Sequence, residues 1–135
     1  MLFHLILALA VQSAAVAPAS IEGTWRSPGG NSIVTIAPCG DSLCGTVAWA
    51  SERAKKDSAK TTGQLVGTQL LTGLERDKRG RWQGKLFIPD KDMRVTAKIE
   101  RISDNQLEVS GCAVGKALCK AAKWTRVEGP LPDQD

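Results

Sequence analysis

Arg94-Val95-Thr96-Ala97-Lys98-Ile99-Glu100-Arg101-Ile102, then Ser103-Asp104-Asn105, then Gln106-Leu107-Glu108-Val109-Ser110-Gly111 is the stretch that decides the fold. Apolar side chains fall on alternate residues, Val95, Ala97 and Ile99 before the turn and Leu107 and Val109 after it, with charged and polar groups between them. A period of two places each set on one face of an extended chain. Asp and Asn between the runs fold back on their own backbone, so the whole is a hairpin with one buried face.

The same pattern extends in both directions. Strands are expected at Glu22 to Arg26, Ser32 to Ala37, Gly45 to Ala50, Thr68 to Glu75, Trp82 to Ile88, Arg94 to Ile102, Gln106 to Gly111 and Ala121 to Val127. Turn chemistry separates them at 27–31, 77–80, 89–92 and 103–105, where Gly permits positive φ and Pro presets it. The reading is all-β: an eight-stranded antiparallel up-and-down barrel, because closure removes exposed edges. A seven-strand sandwich is the alternative. Ser51 to Gly67, rich in Ala, Ser, Thr, Lys and Gly, resists strand assignment and reads as a mobile loop with room for a helical turn.

Met1 to Ala19 carries a short apolar run from Leu2 to Val11, no acidic or basic side chain apart from His4, and small residues at its end. It reads as a signal peptide cut after Ala19, which would leave residues 20–135 as one mature domain. The run falls short of the roughly 20 apolar residues of a membrane span. No cysteine precedes Cys39, so no lipid-modified cysteine is expected at the mature N-terminus.

The four cysteines form two close pairs, Cys39 with Cys44 and Cys112 with Cys119, each around a Gly-containing stretch. In an oxidising compartment these suit disulfides at hairpin ends. Strand parity supports the local pairing, because it puts the two cysteine turns at opposite ends of the barrel. They are then about 17 Å or more apart, beyond the roughly 7 Å Cα separation that a disulfide tolerates.

Removing the leader removes much chemistry. His4 is the sole imidazole and there is no tyrosine, so a mature chain has no Ser-His-Asp triad, no Cys-His pair and no histidine metal site. Asp90 and Asp92 provide too few oxygens for a calcium loop, and no Gly-rich phosphate loop is present. Acids interspersed with bases and few aromatics argue against nucleic acid. No catalytic residue, no metal and no cofactor are expected, and the chain reads as a non-enzyme.

Five ordered motifs then stand out: Gly23-Thr24-Trp25; Cys39-Gly40-Asp41 with Leu43-Cys44-Gly45; Leu71-Thr72-Gly73-Leu74; Trp82 through Asp90; and Gly111-Cys112, Gly115, Leu118-Cys119 with Trp124-Thr125-Arg126. Together they resemble the DUF2147 family of bacterial secreted proteins over nearly the whole mature chain. The resemblance implies a lipocalin-like or calycin-like barrel, located in the periplasm or secreted by a Gram-negative bacterium, in a family without an assigned activity.

In an up-and-down barrel the turns after the odd strands gather at one end. Here that end collects 27–31, 51–67, 89–93 and 112–119, so the longer loops frame a mouth and the tight turns a floor. Trp49, Lys55, Lys56, Lys60 and Arg94 are the candidate ligand-binding residues there, the lysines as an electrostatic lure for anions. Two functions fit. The barrel holds a small apolar or amphiphilic ligand, anionic ones included, or it is packed solid and serves as a protein-interaction module of the envelope, such as an inhibitor of a cell-wall enzyme. An interior apolar cavity of roughly 300 Å³ or more favours the first, and a filled barrel with an exposed basic or apolar loop patch favours the second.

Overall fold

The computed structural model describes residues 20–112 and 119–132 and closes eight antiparallel strands into a barrel in sequence order. These are β1 (Gly23–Arg26), β2 (Ser32–Cys39), β3 (Ser42–Ala50), β4 (Gln69–Arg76), β5 (Trp82–Ile88), β6 (Met93–Ser103), β7 (Gln106–Cys112) and β8 (Cys119–Arg126). The ring shuts where β1 meets β8, through Trp25 opposite Arg126 and Arg26 opposite Thr125. The expected leader, 1–19, lies outside the described residues, as do 113–118. Among the described residues no helix is long and apolar enough to cross a membrane.

Both expected disulfides are present, with Cα separations of 5.5 Å for Cys39–Cys44 and 4.1 Å for Cys112–Cys119. The strands run further into these hairpins than the turn residues suggest. Cys112 and Cys119 face each other directly in the β7–β8 ladder, and β2 and β3 stay paired out to Cys39 and Ser42.

Alternation governs the interior. Val34, Ile36, Val47, Val95, Ala97, Ile99, Leu107 and Val109 are buried as their period requires. β4 breaks the rule: Leu70, Leu71 and Leu74 are all buried. Two irregularities accompany this: against β3 the register shifts between Gly45, opposite Leu71, and Thr46, opposite Gln69, and against β5 Thr72 pairs with Lys85 and Glu75 with Gln83, a bulge that leaves one extra residue on β4 beside Gly73 at φ +61°. Gly84 lies across from it, and a Cβ there would meet the Gly73 backbone and the Leu74 side chain. Bare backbone on β5 therefore makes room for the bulge.

The floor is sealed by Trp25. It is fully buried, its indole N–H donates to the Ile21 carbonyl at 2.9 Å, and the Arg126 guanidinium lies 4.2 Å from its ring centroid. Arg126 also donates through Nε to the Asp104 carbonyl at 2.6 Å and through Nη1 to the Glu22 carbonyl at 3.3 Å. One side chain thus ties the chain entry, the β6–β7 turn and the last strand together. Gly23, at φ +135°, is needed for this: a Cβ there would collide with Arg126.

The segment after β3 departs from expectation. It holds a helix, α1 (Glu52–Ser58), where a mobile loop was anticipated. Ser51 caps it by accepting from the Ala54 N–H at 3.1 Å, and Lys55 with Glu52 (3.3 Å) and Arg53 with Asp57 (3.9 Å) bridge successive turns. Seven residues would not hold a helix alone; Ala54 and the following Leu65 and Val66 anchor the segment on the core.

Candidate functional site

Among the described residues, the interior at the end bearing α1 is divided. On the β1–β4 side large side chains fill the barrel: Trp25, Ile36, Leu70, Leu71 and Leu74, with Leu65 inserted from the loop. On the β5–β8 side the interior positions are smaller, and a cavity of about 290 Å³ remains. Leu86 and Ile88 of β5, Met93 and Val95 of β6, Val109 and Gly111 of β7, and Ala122 and Trp124 of β8 line it, with Lys91 and Lys120 at the rim. Strand alternation explains the set, since each strand contributes every second residue.

Depth follows from β8. Lys120 is exposed, Ala122 half-buried and Trp124 buried, so the cavity runs from a charged lip to an indole base over two strand steps, about 13 Å. Gly111, opposite Lys120 in the β7–β8 ladder, leaves space below the lip. A Cβ on it would sit 3.0 Å from Val95 Cγ2 and 3.9 Å from Leu86 Cδ2.

A second, smaller cavity of about 200 Å³ lies beneath α1. Val47, Ala54, Leu65 and Leu70 line it together with Asn31, Ser58, Asp57 and Asp90. The 3₁₀ turn Pro89–Lys91 packs against α1, and Thr61 Oγ1 donates to the Pro89 carbonyl. The Ser51 N–H also donates to the Asn31 carbonyl at 2.8 Å. The helix is thereby fixed over the β2–β4 half of the mouth, leaving the β5–β8 half uncovered by it. Asp90 belongs to the cavity under the helix and Lys91 to the apolar cavity beside it.

The residues singled out from sequence are spread around this end. Lys55 is half-buried on α1, held to Glu52, and Lys56 and Lys60 are exposed. Trp49 is opposite Ile33 on β3 with its indole N–H buried and without a hydrogen-bond partner. Arg94 stacks over Phe87, its neighbour across β5 and β6, at 4.6 Å. Lys55 lines a further cavity of about 400 Å³ against residues 59–66, and none of the five lines the β5–β8 cavity or the one beneath α1. Lys91, Lys120, Gly111, Ala122 and Trp124 do line the β5–β8 cavity, and the signal for them was the run of small side chains at interior positions of β7 and β8. Among the described residues no three His, Cys, Asp or Glu side chains gather where they could hold a metal ion.

Comparison with solved structures finds the same architecture in a protein from the human pathogen Helicobacter pylori, HP1028, described as belonging to the lipocalin family. The TM-score is 0.62 at 15% identity, over 82% of this chain and 84% of that one. At that identity the likeness is one of fold. No curated protein matches the sequence. The profile of a family described as "Uncharacterized protein conserved in bacteria (DUF2147)" matches residues 23–126, from the first residue of β1 to the last of β8. The eight-stranded barrel closed by Gly23, Trp25 and Arg126 belongs to the DUF2147 family.

Proposed function

We propose that the mature chain is a non-enzymatic binding protein, periplasmic or secreted after loss of residues 1–19, that holds a small apolar or amphiphilic molecule in the β5–β8 cavity. The observation that carries this is the cavity itself: about 290 Å³ of largely apolar space inside a closed barrel. A barrel acting only through its outer loops has no need of an unfilled interior, because lining atoms around a void forgo contacts that a packed core would make. The two disulfides suit an oxidising compartment. The lipocalin-like fold is in keeping with a binding role.

The size sets the affinity scale. Burying about eight methylenes at about 0.8 kcal/mol each is worth about 6 kcal/mol, which corresponds to dissociation constants of tens of micromolar before ordering costs are subtracted. Native mass spectrometry of the oxidised protein from periplasm, followed by calorimetric titration with 1-decanol, tests the reading. Expected are a co-purifying small molecule and saturable alkanol binding with a negative heat-capacity change. A folded protein that carries no such mass and binds no alkanol at about 100 μM would turn the assignment toward the interaction module.

A further inference from the structure

We infer that the β5–β8 cavity selects a single-tailed anionic amphiphile of about eight to ten carbons, its tail reaching Trp124 and its head held between Lys91 and Lys120. The inference rests on the binding-protein reading and adds the charge, the tail number and the length of the ligand.

Charge comes from the lining. Among the described residues, Lys91 and Lys120 are the ionisable groups of the wall, and no carboxylate shares it. Both lysines are exposed at the lip, and among the described residues neither is engaged in an ion pair or a hydrogen bond. Lys55 by contrast pairs with Glu52, and Lys85 Nζ donates to Thr96 Oγ1 at 3.2 Å; what sets Lys91 and Lys120 apart from the other unpaired lysines is their place on the rim of the apolar cavity. Two carboxylates adjoin Lys91 in sequence: Asp90 lines the cavity under α1, and Asp92, exposed at the end of the 3₁₀ turn, lines neither cavity and among the described residues forms no ion pair with Lys91. An apolar hole with two uncompensated ammonium groups at its lip is complementary to an apolar tail with an anionic end. It disfavours a cationic head through like-charge repulsion.

Tail number and length come from shape. The cavity volume equals about ten liquid-water volumes, and a methylene takes up a similar space, so about ten non-hydrogen atoms fit. One chain of eight to ten carbons fills a slot about 13 Å deep; two acyl chains exceed the volume. Trp124 closes the inner end, with Leu107, its partner across β7, fully buried behind it. An ammonium is a point charge without the fork geometry of a guanidinium, so the site reads the charge of the head and does not distinguish a carboxylate from a sulfate.

The test compares decanoate, decyl sulfate, 1-decanol and decyltrimethylammonium by calorimetry at low ionic strength and neutral pH, on the native protein and on the double variant Lys91→Gln, Lys120→Gln. Expected is binding of both anions about tenfold tighter than decanol, the combined effect of two partly exposed ion pairs, with the cation weaker than decanol. In the double variant the anion preference should fall to near unity while decanol binding stays unchanged. A length series should show palmitate binding no better than decanoate. Decanol binding as well as decanoate, or an anion preference that survives in the double variant, would overturn the inference while leaving the binding-protein reading intact. Absence of binding by all four, decanol included, would overturn both.

Discussion

Replacing Gly111 with Leu should abolish most ligand binding while leaving the barrel folded. Gly111 lines the β5–β8 cavity opposite Lys120, near Val95 and Leu86. The four added carbons, at about 30 Å³ each, would take up roughly 120 Å³ of the 290 Å³ available. A bound chain would then give up about four methylenes, or about 3 kcal/mol at about 0.8 kcal/mol each, a loss of about two-hundredfold in affinity. Stability should change little. The new Cβ stands 3.0 Å from Val95 Cγ2, so Val95 must yield by a few tenths of an ångström, but filling an apolar void and removing a strand glycine act in the opposite direction. The net change in unfolding free energy should be within about 1 kcal/mol. Titration followed by tryptophan emission, with Trp124 as the reporter at the cavity base, measures the first quantity, and urea denaturation measures the second. Ala54→Leu, which fills the cavity under α1 instead, should leave affinity nearly unchanged. Undiminished binding by the folded Gly111→Leu protein, or loss of binding in Ala54→Leu alone, would place the ligand beneath the helix and refute the assignment.

Two further predictions concern the scaffold. Trp25→Ala should cost about 3 to 5 kcal/mol in denaturant unfolding, because it empties the floor beneath Arg126 and removes the bond to Ile21; a cost under about 1 kcal/mol would mean that the floor repacks without it. Asp77 accepts from the backbone N–H groups of Arg81 and Arg79, each at 2.9 Å, and these bonds, chiefly that to Arg81, hold its carboxyl below the usual carboxylate range. Its folded pKa lies below its unfolded one, so its contribution is complete above the ordinary carboxylate range and disappears as pH falls through the lowered value. Asp77→Asn should therefore lower the plateau of melting temperature and leave the acid extreme little changed, so that the limb below about pH 4 flattens; an unchanged plateau and acid limb would assign that limb to other carboxylates.

The barrel was legible wherever one residue decided one face. β6 and β7 show this: Val95, Ala97, Ile99, Leu107 and Val109 alternate and are all buried, and the β5 bounds Trp82–Ile88 agree with the sequence reading. Legibility fails where a second strand decides. Leu71 and Leu74 are buried because β4 bulges opposite Gly84, a register effect that no local period encodes. Ile21 precedes the first alternating run and fills the floor only because Trp25 and Arg126 hold it there. The helix was missed for a related reason: its intrinsic propensity is modest, and what fixes it is Leu65, Val66 and the Pro89–Lys91 turn, all distant from its own seven residues.

The site was less legible because sequence supplies the charges at the mouth without saying which wall each joins. Taken together, the basic and acidic residues around 51–67 and 89–94 amount to a modest positive excess, the kind that a solvated rim also shows. Folding separates them. The Pro89–Lys91 turn stands between the two cavities, so that Asp90 falls to the compartment beneath α1, which also has Asp57, and Lys91 to the apolar one, which also has Lys120. A lip of mixed sign thereby becomes two lips of opposite sign. The cationic one opens onto a wall that is otherwise nearly all hydrocarbon, where small residues, Gly111 and Ala122, leave the interior unfilled. On the proposed reading, selectivity for an anionic tail would follow from how the turn between β5 and β6 divides its charges, and a change that exchanged the sides served by residues 90 and 91 would be expected to reverse it without altering net charge.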